Sequence, residues 1–175
     1  MSTDAPFRIV PLPAEPFAPL FALDDPELAA RGARRMVADR QPGFPCRVSL
    51  VDAEVGEEVL LLPWEHHRSR SPYRASGPVF VRRGARPAAV APGEIPAAMR
   101  ARLFSLRAYD AAGDMSAAAI AGGHELETAI AGLFADPAVA FLHLHHAGRG
   151  CYACCVERVG PGDRTGASAA APGPR

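Results

Sequence analysis

Residues 138–159 read AVAFLHLHHAGRGCYACCVERV, and this stretch decides the architecture. Val139, Phe141, His143 and His145 alternate with Ala140, Leu142 and Leu144, the period of two that sends successive side chains to opposite faces of a strand. The HAGRG segment then has the glycine content of a tight reversal, and CYACCVERV resumes an apolar run. Strands joined by so short a link run antiparallel, because a parallel pair needs a crossover of about a dozen residues or more.

Working outward, the same logic recurs. RLFSLRAYD alternates and DAAGD turns it into MSAAAIA. PVFVRR is a short strand, and CRVSLVDA with GEEVLLLPW reads as a hairpin turning around Ala53 to Gly56. Helices are fewer. Asp25 as cap and Pro26 at the first helical position start one, with Leu28, Gly32 and Met36 on its inner face and Arg31, Arg34 and Arg35 outside. A second spans His124 to Asp136, where Leu126, Ile130, Leu133 and Phe134 share a face and Pro137 ends it. The expected fold is a single α+β domain, a mostly antiparallel sheet of about six strands with two main helices on one face. Five prolines make residues 1–19 an extended arm with an edge strand at Phe7 to Val10 that packs on the core. The domain proper is 20–159. The segment 160–175 lacks a large apolar residue and is expected to be a disordered, dispensable tail. Pro63 to Pro78 has no apolar period and reads as a long loop.

Composition excludes several function classes. The formal net charge is zero and the pI is near 7.0, which argues against nucleic acid and against an acidic membrane surface. All 19 Lys+Arg residues are arginine, so Schiff-base chemistry and a phosphate-loop lysine are absent. There is no glycine-rich dinucleotide fingerprint and no serine nucleophile elbow, and no cofactor is implied. The first residues lack a charged start followed by an apolar stretch, so a cytoplasmic address and reduced thiols at Cys46, Cys151, Cys154 and Cys155 are expected.

Three constellations carry chemistry. His143, His145, Cys151 and Cys154 are a tetrahedral zinc set by residue type, but strand parity separates Cys151 from Cys154 unless the strand bulges, so no metal is expected. Cys151 is alternatively a nucleophile activated by His143, His145 or His146, with His145 the chosen base and Arg149 adding a positive field. The third set is rich in arginine: Arg47, Arg74 and Arg107, with Tyr73 and His143, offer guanidinium forks and donors suited to a small anion. For each, the bland alternative is packing or ordinary ion pairing. Arg74 and Cys151 are expected to face one cavity, because each sits where a turn meets a strand.

Taken in order, PGFPCRVSL, SPYRASGPVFVRR, LRAYD and HAGRGCYACCVERV make the chain resemble bacterial domain-of-unknown-function family 1203 from about Phe7 to Val159. The resemblance implies no activity and supplies no catalytic residue. The expectation is therefore an uncharacterised domain that binds a small anionic molecule at an Arg/His/Cys pocket, with turnover left open. The alternative is a non-catalytic interaction or homo-oligomerisation module built on the arm and exposed strand edges.

Overall fold

The structure is a computed structural model that describes residues 7–160. Among the described residues, eight strands form two antiparallel sheets: β1 (Phe7–Val10), β2 (Arg34–Val37), β3 (Glu58–His67), β4 (Ala75–Arg82), β5 (Leu103–Tyr109), β6 (Met115–Gly122), β7 (Phe141–His146) and β8 (Tyr152–Arg158). The larger sheet has the order β1-β8-β7-β5-β6 and the smaller β2-β3-β4. Three short helices accompany them, α1 (Asp25–Ala30), α2 (Ala97–Arg100) and α3 (Leu126–Phe134).

The α+β class and the antiparallel pairing agree with the sequence, but there are two sheets and eight strands where one sheet of about six was expected. The difference begins at α1. Asp24 caps it in a capping box with Glu27, and Gly32, at φ +68, ends it early. The Gly32 and Ala33 amides return to the carbonyls of Ala29 and Leu28, so Arg34 and Arg35 leave the helix and pair with β3 as strand β2. CRVSLVDA is not a strand: Cys46–Leu50 is a turn, closed by the Leu50 amide on the Cys46 carbonyl. Its ladder pairing is limited to isolated bridges, Pro45 with Asp52 and Cys46 with Phe80, while the Arg47 and Val48 carbonyls accept from the Leu12 and Ala88 amides.

The expected loop from Pro63 to Pro78 also shortens. β3 continues through Trp64 to His67, with Trp64 opposite Gly77, so only residues 68–74 form the hairpin loop. Polar and aromatic residues can carry a strand as well as aliphatic ones when one face is covered, and here β3 is covered by the larger sheet.

Phe104, Leu106 and Ala108 of β5 and Leu142 and Leu144 of β7 face Leu126, Ile130 and Phe134 of α3 in one core. The opposite face of the larger sheet meets the smaller sheet in a second core, where Tyr152 joins Leu60, Leu62, Val79, Val81 and Phe17. This second interface holds the polar cluster. The expectation for the tail beyond Gly160 lies outside the described residues.

Candidate functional site

His143 and His145 project together from β7 onto the face turned toward the smaller sheet. Register places Arg107 opposite His143 and Tyr109 opposite Phe141 on β5, and Tyr152 opposite His145 on β8. The end of β3 closes over this floor. A bulge between Glu65 and His67 breaks the alternation, and both adjacent imidazoles reach His143.

The rings form a continuous cluster. His66 stacks on Tyr152 with centroids 4.9 Å apart and lies edge-on to His145 at 5.1 Å and to His143 at 5.9 Å. His67 stacks on Tyr109 at 4.2 Å and meets His143 at 5.4 Å. Two tautomers follow from backbone partners, since a carbonyl oxygen only accepts. His67 donates from Nε2 to the Gly113 carbonyl at 2.8 Å, and His145 donates from Nδ1 to the Gly150 carbonyl at 2.9 Å. Both nitrogens of His66, Nδ1 of His143 and Nε2 of His145 are buried and have no hydrogen-bond partner among the described residues. Leaving one such atom unpaired typically costs about 1–3 kcal/mol, so four in one place mark a polar site rather than a core.

The electrostatics are one-sided. Burial, reinforced by His67, His145, His66 and Arg107, pushes His143 down to about 3. Burial also lowers His145 to about 4, against the Gly150 hydrogen bond. His66 moves down for the same reason, with Arg107 adding to it. Tyr109 moves up, chiefly through burial. Arg107 has no carboxylate within 4.0 Å among the described residues.

Beside the cluster opens a cavity of about 280 Å³ lined by His66, His67, His143, Phe141, Arg68, Ser69 and the turn 111–113. No acidic side chain among the described residues lines it. The nearby carboxylates are engaged elsewhere: Asp114 accepts from the Ser71 hydroxyl, Asp110 from the amides of Ala112 and Asp114, and Glu65 pairs with Arg74 at 2.5 Å and Arg68 at 3.7 Å. Gly113 sits at φ +86, and a Cβ there would lie 2.6 Å from that of Ser69, so glycine lets the β5–β6 turn close against the β3–β4 loop.

The residues nominated from the sequence divide. His143, His145 and Arg107 come together. Tyr73, on the hairpin loop, stands within electrostatic reach of the Tyr109 hydroxyl. Arg74 is exposed and tied to Glu65, and neither it nor Cys151 lines the cavity. Arg47 is buried, donating from Nε to the Tyr152 carbonyl at 2.7 Å and from a terminal nitrogen to the Pro45 carbonyl, and burial lowers it to about 10. Cys151 lies in the turn before β8, where its carbonyl accepts from the His146 amide and its thiol is within electrostatic reach of Arg47. β8 does bulge, so Cys154 returns to the α3 side with Leu144 and Val156, away from His143 and His145. Among the described residues, no three His, Cys, Asp or Glu donors are arranged to hold a metal ion. His66, His67, Tyr109 and Phe141 were missed as site residues. The available signal was the run PWEHH, which continues the strand begun by GEEVLLL.

Residues 43–158 match the family described as Protein of unknown function (DUF1203). The chain belongs to that family. The match spans well over half the chain and takes in β3 to β8, hence every member of the histidine cluster, while β1, α1 and β2 precede it. No curated protein and no solved structure gives a significant match. No helix among the described residues is long and apolar enough to cross a membrane.

Proposed function

We propose that the DUF1203 fold of this chain is a binding domain for a small anionic molecule, seated in the cavity beside His66, His67 and His143. The observation that carries the reading is the one-sided chemistry of the site. Half-buried Arg107 acts electrostatically on His66, His143 and His145, and among the described residues it has no carboxylate within 4.0 Å and the cavity wall carries none, whereas a half-buried guanidinium ordinarily finds an acidic partner. The ring of Phe141, backed by Tyr109 at 5.3 Å, adds an apolar side wall, which suits the mixed lining of small-molecule pockets. At about 280 Å³ the space fits a small organic acid or an inorganic oxoanion rather than a large cofactor. The reading is one of binding, because the nominated nucleophile Cys151 does not line the cavity.

A thermal-shift series with sulfate, phosphate, malonate and benzoate tests it. An anion at about 100 times its dissociation constant should stabilise by about 2.7 kcal/mol. Arg107→Met should abolish the shift, and no shift with any of these anions would count against the reading.

A second reading, a surface for another protein chain, draws on β6. This edge strand, MSAAAIAG, carries neither charge nor proline, and its Ile120 is 71% exposed. Edges of that kind are usually blunted in monomers. Sedimentation of the wild type against Ile120→Lys would separate a self-associating edge from an inert one.

A further inference from the structure

We infer that two copies of the chain pair through β6, antiparallel about a two-fold axis at Ala119, so that their larger sheets join into one. This rests on the second reading above and is independent of the cavity. The larger sheet ends in β1 and β6, the smaller in β2 and β4. Three of these edges are guarded. The Phe7 carbonyl of β1 accepts from the Gly93 amide, β2 opens with Arg34 and Arg35, and β4 contains Pro78 and meets the turn at Cys46 and Arg47. Charge, proline and covering backbone are the devices that keep a sheet edge from adding a strand. β6 has neither charge nor proline, and among the described residues no backbone group outside β5 bonds to residues 115–121.

The ladder shows which groups are free. The Gly123 amide donates to the Arg102 carbonyl, and the register runs on through Phe104 with Ala121 and Leu106 with Ala119. Hydrogen bonding alternates along an antiparallel pair. Ala121 and Ala119 therefore turn their backbone groups to β5, while Ile120 and Ala118 turn theirs outward. This free run is bounded at both ends. The Gly122 amide donates to the Glu125 carboxylate at 3.2 Å, and its carbonyl accepts from the Glu125 amide at 2.9 Å. At the other end Ser116 is the surplus residue of a bulge, since Ala108 pairs with Ala117 and Tyr109 with Met115.

Two free residues separated by one meet their own copy fully in a single register. Ala118 faces Ile120 of the second copy, each pair exchanges both hydrogen bonds, and Ala119 falls on the axis. The side chains agree with it. Ile120, 71% exposed, comes to lie against Ala118 of the second copy and diagonal to the second Ile120, within reach of a branched side chain. On the other face Ala117 opposes Ala121, and both are too small to hold the backbones apart. A strand without charge, in a chain whose formal net charge is zero, does not repel its copy. Pairing about a two-fold axis consumes both β6 edges, and with the other edges guarded it closes as a dimer.

Sedimentation over a micromolar concentration series should show the wild type passing from one chain to two. Ala118→Pro removes an outward amide and leaves the β5 ladder intact, because proline is accepted where its missing N–H faces away from the sheet. It should stay folded by circular dichroism and associate at least roughly tenfold more weakly. Cross-linking with oxidised glutathione in a Cys151→Ser background reads the register. Ala119→Cys should join to itself, since residues opposite one another in a non-hydrogen-bonded pair have Cα atoms about 4.5 Å apart, within disulfide reach. Ala118→Cys, opposite Ile120, should not. Cross-linking of Ala118→Cys but not of Ala119→Cys overturns the axis. A dimer undiminished by Ala118→Pro overturns the use of β6. A wild type that stays monomeric, with the Ala118 and Ile120 amides exchanging freely, overturns the inference and leaves the edge to a different chain. Slow exchange of those amides in a monomer means that the protein's own chain covers β6, which overturns the inference and the second reading together. If a variant fails to fold, sedimentation and amide exchange of the wild type still decide.

Discussion

The imidazole of His66 lies flat on the phenol ring of Tyr152, with planes 15° from parallel, and so joins the end of β3 in the smaller sheet to the start of β8 in the larger one. Tyr152 simultaneously belongs to the apolar core between the sheets. One residue thus links the polar cluster to the packing that holds the sheets together. Tyr152→Ala should lower the unfolding free energy by about 3–5 kcal/mol, the usual cost of emptying a buried aromatic site. Tyr152→Phe, which preserves the stacked ring, should lose far less. Urea denaturation of the two variants checks the difference.

Acid should unfold the protein more readily than its composition suggests. His143 and His146 are held down at about 3 and His145 at about 4, each chiefly by burial, whereas the unfolded chain titrates them near the ordinary value of 6.5. The unfolded state therefore binds more protons below that value. The stability contributed by keeping these rings neutral is complete above about pH 6.5 and is lost as pH falls toward 4 and 3. Each histidine protonated only on unfolding adds a slope of about 1.4 kcal/mol per pH unit. Urea midpoints measured from neutral to mildly acidic pH should fall steeply, and a flat profile would mean that the folded rings are as basic as free ones.

Gly113→Ala should damage both the fold and the cavity. Its backbone is at φ +86, and the new methyl would meet Ser69 at 2.6 Å and His67 Nε2 at 3.3 Å. The left-handed conformation alone costs roughly 1–3 kcal/mol for a residue with a side chain. Thermal denaturation should show a loss at least that large, together with loss of any anion-induced shift. An unperturbed variant would mean that the two turns are not in contact in solution.

Thiol reactivity should single out Cys151. Cys46 and Cys154 are buried, and burial pushes the Cys154 thiol up to about 12 and the Cys155 thiol well above its ordinary range. Half-buried Cys151 has Arg47 within electrostatic reach. Iodoacetamide labelling followed by mass spectrometry should find Cys151 modified first. Arg47→Met should slow that labelling, because it removes the positive field. Arg74→Met should not, since Arg74 is tied to Glu65. Equal slowing by both substitutions would defeat this assignment.

Much of the larger sheet was legible in the sequence, because β5 and β7 keep one face on the α3 core and a different chemistry on the other. In β5 the alternation is visible as Phe104, Leu106 and Ala108 against Ser105 and Arg107. The smaller sheet was legible in β3 and β4, as GEEVLLLPW and PVFVRR, but not in β2. Leu28, Gly32 and Met36 have helical spacing, and only the glycine's position after the last turn marks the end of α1. The site was half legible for a related reason. His143 and His145 stand on a recognisable strand, but His66 and His67 lie adjacent, and adjacent residues on a regular strand face opposite ways. The bulge that brings both to His143 leaves no periodic trace in the sequence.

The extra residue in β8 has its own consequence. Tyr152 pairs with His145 and Cys154 with Leu144, so Ala153 is the surplus position at which the strand exchanges its two faces. It acts as a frame marker. A deletion of Ala153 would leave a ladder with regular spacing but the wrong reading on one side of it, sending either Tyr152 away from the histidines or Cys154 and Val156 out from under the helix. Sliding the strand by one residue carries the same penalty. The histidine cluster and the helical core are thereby bound to a single alignment of β7 with β8, and neither can be remodelled through this hairpin without disturbing the other.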